Sequence, residues 1–165
     1  MRPVVGVMGS GRTIDAGARV TAHRLGAMIA SRGWVLLTGG GASGVMDAAS
    51  EGAHSTGGLV IGVLRGNDDV GASAHLDVAI RTGMGDARNA INVLSSDVVV
   101  ALPGGPGTVS EVALALKSGK TVIVLGWDPG AALRAPGPGR LIDAASVEDA
   151  VRFAADVLGG SSSIH

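Results

Sequence analysis

Three glycine-rich clusters hold most of the chemistry open to this chain. Gly6-Val7-Met8-Gly9-Ser10-Gly11, Thr38-Gly39-Gly40-Gly41-Ala42-Ser43-Gly44 and Pro103-Gly104-Gly105-Pro106-Gly107-Thr108 each end a short β-branched run, and the last two lead directly into helix-forming sequence. A helix N-terminus offers unpaired N–H groups and the positive end of the helix dipole, so these positions suit an anion such as phosphate. The clusters fit neither of the common nucleotide fingerprints. The first reads G-x-x-G-x-G rather than G-x-G-x-x-G, and Thr38-Gly39 stands where a ribose-binding acid would be wanted, which disfavours NAD. No G-x-x-x-x-G-K-[ST] occurs, since the lysines are Lys117 and Lys120, and this removes the ATP-hydrolysing P-loop. Tight turns and close helix packing are the competing explanation for these glycines.

Two ionisable residues stand near the clusters. Arg88, followed by Asn89, opens a stretch that precedes the third cluster, where a guanidinium would grip phosphate bidentately or else serve as a surface cation. Glu111 closes Thr108-Val109-Ser110-Glu111, the T-x-x-E pattern of a capping box, in which its carboxylate would satisfy the Thr108 N–H. A carboxylate at that point also suits ribose contact or acid/base work, and spacing leaves both roles open. His23, His54, His75 and His165 fall in no metal or nucleophile pattern, and Asp47 with Glu51 reads as a solvated helix face, so no metal site is assigned.

The elements that must position these residues alternate. Val4–Met8, Trp34–Leu37, Leu59–Leu64, Asp97–Leu102 and Thr121–Leu125 read as strands buried on both faces, with Leu76–Ile80 and Arg140–Ala144 as weaker strands. Between them Asp15–Arg32, Gly44–His54, Asp86–Ser95, Thr108–Ser118 and Ser146–Leu158 read as helices, the fourth with Val109, Val112, Ala113 and Leu116 on one face. Ala131–Gly139 reads as a mobile loop and residues 160–165 as a frayed tail. Strict β-then-α order predicts one α/β domain over residues 1–165, a doubly wound parallel sheet with helices on both faces.

Composition removes other functions. The 165 residues include 28 Gly, 3 aromatics and no Cys, with 46% apolar, 16% charged and a net charge of −1. That balance lacks the basic excess and stacking platform of a nucleic-acid binder, and absence of Cys excludes disulfides and thiolate metal ligation. Mean hydropathy is high at +0.40, yet no apolar run is long enough to span a bilayer, so a cytoplasmic protein with no membrane partner is expected. Ala-rich helices and high hydropathy also favour a homo-oligomer, without deciding between homodimer and homotetramer.

The three motifs together resemble the LONELY GUY-like superfamily, often mislabelled lysine decarboxylases. The resemblance rests on Thr38-Gly39-Gly40-Gly41 with Gly44-Val45-Met46, on Thr82-Gly83-Met84 with Ala87-Arg88-Asn89, and on Pro103-Gly104-Gly105-Pro106-Gly107-Thr108-Val109-Ser110-Glu111, in order from about Val4 to Leu125. It implies a Rossmann-like oligomer holding a nucleotide or pterin phosphate at the glycine loops. The ligand-binding positions it implies are Gly9, Ser10, Gly39, Gly40, Gly41, Ser43, Gly44, Met84, Arg88, Asn89, Gly104, Gly105, Gly107, Thr108 and Glu111.

In the phosphoribohydrolase branch, Arg88 and Glu111 match residues that serve release of the base from a nucleoside 5′-monophosphate. That branch carries M-H-x-R-K, whereas Met84-Gly85-Asp86-Ala87-Arg88-Asn89 lacks the His and Lys and looks more like the molybdenum cofactor carrier branch. The expected ligand is therefore molybdenum cofactor or a nucleoside monophosphate. With no Cys in the chain, molybdenum cofactor would be gripped by its pterin and phosphate.

Overall fold

The computed structural model describes residues 1–160; most of the frayed tail expected from the sequence, residues 161–165, lies outside them. Seven strands form one parallel sheet: β1 (Val4–Met8), β2 (Val35–Thr38), β3 (Val60–Leu64), β4 (Val78–Arg81), β5 (Val98–Ala101), β6 (Thr121–Leu125) and β7 (Arg140–Ala144). Their spatial order is β4-β3-β2-β1-β5-β6-β7. The chain thus winds outward from β1 in one direction, returns to β5 on the other side of β1, and winds outward again. The β1/β5 boundary is the topological switch point, where crossovers diverge and a crevice opens beyond the strand ends.

Five helices cover the sheet: α1 (Ala16–Ser31), α2 (Gly44–Ser55), α3 (Asn89–Leu94), α4 (Pro106–Lys117) and α5 (Val147–Gly160). Leu25 and Ile29 of α1, Val45 and Ala49 of α2 and Val151 of α5 share one core with Val5, Val7 and Leu36. Val93 of α3 with Val112 and Ala115 of α4 share the other with Met8, Val99 and Val122. Alternate β1 residues therefore feed opposite cores, as the strand's period of two requires. The α1 start is fixed by Asp15, whose Oδ1 accepts from the Ala18 N–H at 2.8 Å, and the α5 start by Ser146, whose Oγ accepts from the Asp149 N–H at 3.1 Å.

Three segments differ from the sequence reading. The stretch expected as one helix over 86–95 is a 3₁₀ turn, Gly85–Arg88, followed by the six-residue α3; the positive φ of 56° at Gly85 admits the chain into this tighter turn. The first part of the 131–139 loop is a 3₁₀ turn, Ala131–Arg134. Helix α4 begins two residues before the expected Thr108, because Pro106 has the preset φ and missing N–H that suit a first helical position. Its buried face is accordingly Thr108, Glu111, Val112 and Ala115, while Val109 turns outward at 36% exposure. Asp47 and Glu51 are paired rather than freely solvated, since Arg19 of α1 reaches both across the helix crossing. No described helix is long and apolar enough to cross a membrane.

Candidate functional site

The loops after β1 and β5 flank the switch point, and a cleft of about 500 Å³ lies between them. Ser10 ties the loops together: its N–H donates to the Pro103 carbonyl at 3.2 Å and its own carbonyl accepts from the Val45 N–H at 2.8 Å. Gly104 must be small there, because a Cβ would come within 2.0 Å of the Thr108 Oγ1. At the start of α4, Gly107 and Thr108 occupy the first turn, where N–H groups have no intrahelical acceptor; both line the cleft.

Two other cavities, of about 520 and 750 Å³, lie under the Ala132–Gly139 loop and between the N-termini of α1 and α5. Neither is lined by a buried ionisable side chain. Among the described residues, Arg88 and Glu111 are the buried charged side chains, each 7% exposed, and both face the 500 Å³ cleft. Arg88 Nη1 stands 3.7 Å from Glu111 Oε1, too far for a hydrogen bond, whereas Asn92 Nδ2 donates to the same oxygen at 2.8 Å. The guanidinium lies against Gly39, where a Cβ would fall 2.5 Å from Nη1 and 2.6 Å from Nη2. It donates no hydrogen bond to any described residue, and its buried Nε has no partner.

Burial governs the electrostatics of this pair. It pushes the Glu111 carboxyl above the ordinary carboxylate value, against the Asn92 hydrogen bond and the Arg88 charge, both of which favour the ionised form. It also lowers the Arg88 pKa, an effect that nearby Glu111 opposes and Arg65 reinforces. Beyond them, Arg65 pairs with Asp86 at 3.0 Å and Arg12 stands at the cleft wall without an ionic partner among the described residues.

The capping-box expectation for Glu111 is corrected. With Gly105 at the N-cap, Thr108 lies inside α4, and the Glu111 carboxylate faces Asn92 and Arg88 instead of reaching back to the Thr108 N–H. Of the fifteen positions expected at a ligand, nine line the cleft: Gly9, Ser10, Gly39, Arg88, Asn89, Gly105, Gly107, Thr108 and Glu111. The other six do not line it. Gly44, with φ of 66°, packs where a Cβ would strike the Ser10 carbonyl oxygen at 2.1 Å, and Ser43 Oγ donates to the Gly11 carbonyl. Gly40 lies against Leu64 and Gly62, Gly41 bridges to Ala72, Gly104 backs Thr108, and Met84 is half exposed before the 3₁₀ turn.

Asn92, Arg12 and Arg65 were not singled out by sequence, and Met46 stood there only as part of a motif. For Asn92 a signal exists: it follows Arg88 by four residues, the spacing that puts two side chains on one helical face. The described residues contain no cluster of three or more His, Cys, Asp or Glu side chains able to hold a metal.

Similarity to known proteins agrees with this architecture. The molybdenum cofactor binding protein of Rippkaea orientalis superposes with a TM-score of 0.91 at 44% identity, over 96% of this chain and 98% of that one. The Moco carrier protein of Chlamydomonas reinhardtii does so at 0.89 and 44%, over 97% and 99%. An uncharacterized protein of Archaeoglobus fulgidus is 46% identical over 73% of this chain and 78% of its own length. The cytokinin riboside 5′-monophosphate phosphoribohydrolase of Mycobacterium tuberculosis is 37% identical over 55% of this chain, which spans half (50%) of that enzyme. The SLOG cluster4 family model matches residues 2–151, and the chain belongs to that family, within the LONELY GUY-like superfamily and near its molybdenum cofactor carrier branch.

Proposed function

We propose that this protein binds and carries a phosphate-bearing pterin or nucleotide, with molybdenum cofactor as the leading cargo. The observation that carries the reading is Arg88: a buried cation with no hydrogen bond spent on the protein, set in a cleft that also receives the first turn of α4. A buried polar group without a partner costs stability, and an incoming anion supplies the missing acceptor. Phosphate on the Gly107 and Thr108 N–H groups with Arg88 alongside matches the donor set in kind, and about 500 Å³ suits a ligand of this size. That the cargo is molybdenum cofactor rests on the end-to-end likeness to proteins that bind it. Gly9, Ser10, Gly39, Asn89 and Gly105 would complete the cradle, with Gly40, Gly41, Ser43, Gly44, Met84 and Gly104 supporting the loops. A cytoplasmic homodimer or homotetramer is proposed with it; Val78, Ile80 and Leu94, 43%, 41% and 62% exposed, offer apolar surface to another copy, and light scattering tests this.

A second reading, nucleoside 5′-monophosphate phosphoribohydrolase, is favoured by one feature. A carboxyl whose pKa burial raises, next to a guanidinium, is better equipped than an ordinary one to protonate a leaving base. Mass spectrometry of small molecules released from the purified protein, paired with incubation on AMP, separates the two. Recovered pterin with no free adenine is the carrier outcome. Steady adenine release that depends on both Arg88 and Glu111, falling about 100-fold or more in Glu111→Gln, would replace it with the hydrolase.

A further inference from the structure

An anion resting on Arg88 must also share space with Glu111, whose Oε1 is 3.7 Å from the Arg88 Nη1. Two negative groups on one guanidinium in a site of low polarity repel strongly, and the protein's own carboxylate is the one that can be neutralised by a proton from solvent. Asn92 is built to accept either state. Fully buried, it donates through Nδ2 to Glu111 Oε1 at 2.8 Å, while its Oδ1 is a buried acceptor with no partner. Rotating the amide by a half turn presents Oδ1 to a protonated carboxyl, which then donates its O–H, so the same side chain holds Glu111 in place with or without its charge.

We propose that anion binding in this cleft is coupled to uptake of one proton at Glu111, with Asn92 as the positioning residue that accommodates both forms. The inference rests on the anion-binding reading of the site and deepens it. Arg88 is the charged group that acts directly on Glu111; Asp86 from the 3₁₀ turn, Arg65 beyond β3 and Arg12 across the cleft line the same cavity, Arg65 and Asp86 acting on Arg88, and none of the cleft residues is a histidine. Burial already tilts Glu111 toward its neutral form, the same direction in which an incoming anion pushes it. The consequence is selective: a ligand with a full negative charge gains from acidification, and a neutral ligand does not.

Sulfate is the suitable probe, because its charge stays constant from about pH 5 to about pH 8, so that any pH dependence of its binding belongs to the protein. Titration of the purified protein should give a sulfate Kd that tightens as pH falls, approaching about tenfold per pH unit at the steepest if one proton enters with each anion. Calorimetry in two buffers of different ionisation enthalpy counts that proton on the wild-type chain, without a variant. Glu111→Gln should bind sulfate with a flat pH profile near the wild-type affinity at low pH. The bond Asn92 gives the carboxylate is charge-assisted and outweighs the one it would accept from the neutral carboxyl, so Asn92→Leu should move the midpoint of the profile upward; an unchanged midpoint in a folded Asn92→Leu protein overturns the role given to Asn92. A flat wild-type profile, or an unchanged slope in Glu111→Gln, overturns the coupling while leaving the anion site standing. Absence of sulfate binding at every pH overturns the anion site itself.

Discussion

Arg88 and Arg134 are both arginines beside carboxylates, and they use their donors in opposite ways. Arg134 lies near the β7 edge of the sheet. Its Nη1 and Nη2 bond the two oxygens of Asp143 at 2.9 and 2.8 Å, and its Nε bonds Asp128 Oδ1 at 3.0 Å. This fork is satisfied within the protein, and the Asp143 and Asp128 bonds raise the Arg134 pKa further. Arg88 is more deeply buried and holds its donors unspent. The exposed arginine saturates its fork and joins segments of chain, whereas the buried one keeps donors available toward the cleft. Charge alone would not separate the two roles; burial together with the hydrogen bonds each arginine makes does.

The largest effect that sharpens this contrast is expected at Arg88. Arg88→Met should weaken sulfate or nucleotide binding by about 100-fold or more, the range for truncating one member of a desolvated charge pair. The fold should persist, since Glu111 becomes neutral once its cation is gone and Asn92 remains to hold it. Parallel ligand titrations and thermal melts test both halves, and undiminished binding would return Arg88 to a purely structural role. Gly39→Ala comes next. Its new methyl falls 2.5 Å from Nη1 and 2.7 Å from the Met46 sulfur, so the guanidinium must withdraw; affinity should drop about tenfold, and Tm should fall by a few degrees, on the scale of about 1–3 kcal/mol for an overpacked contact.

Stability against pH divides the two regions by sign. Glu111 has a folded-state pKa raised above the ordinary 4.5, so the folded protein keeps a proton that the unfolded chain has released. Its contribution to stability is therefore fullest at or below that ordinary value and diminishes as pH rises through its folded pKa. Asp143 and Asp128 are depressed, by the Arg134 bond and by the Gly130 N–H first, respectively. Their contribution is present above the ordinary aspartate range and is lost as pH falls through their lowered values, though solvent screens it. Glu111→Gln should thus flatten the decline of Tm above about pH 4.5 and leave the acid limb in place. A wild-type Tm that does not decline there more than that of Glu111→Gln would contradict the upward shift of the buried carboxyl.

The sheet was legible because strands buried on both faces write themselves as β-branched runs, and each run here ends in a glycine or a polar turn. Even Arg140–Ala144, a weak edge strand by sequence, forms with the bounds expected of it. The site was legible only in part, and Glu111 shows why. T-x-x-E predicts a cap from local spacing, but Pro106 starts α4 two residues earlier, and that small shift turns Thr108 and Glu111 inward. Asn92 carried one local signal, its spacing of four from Arg88, but its contact with Glu111 crosses to α4, which no local spacing reveals. Arg12 and Arg65 reach the cleft from loops far apart in sequence, where no periodicity announces a meeting. Of the glycines, Gly44 and Gly104 look like ligand contacts by position, yet each abuts another loop of the chain closely.

The smallest effect is expected at Arg134, and it completes the contrast. Arg134→Gln removes three hydrogen bonds with good geometry, so a count of contacts would predict a severe loss. Exposure argues otherwise. Asp128 and Asp143 are open to solvent, with side chains 71% and 63% exposed, and water replaces the lost donors at once. Exposed ion pairs have little net worth, and a fork of this kind gains only modestly from its geometry, so Tm should move by no more than about 2 °C and sulfate affinity should not change. High salt should reduce even that difference, since screening already weakens the wild-type interaction. A loss of ligand affinity in Arg134→Gln would break the comparison, because it would mean that the saturated arginine, and not the unsatisfied one, communicates with the cleft.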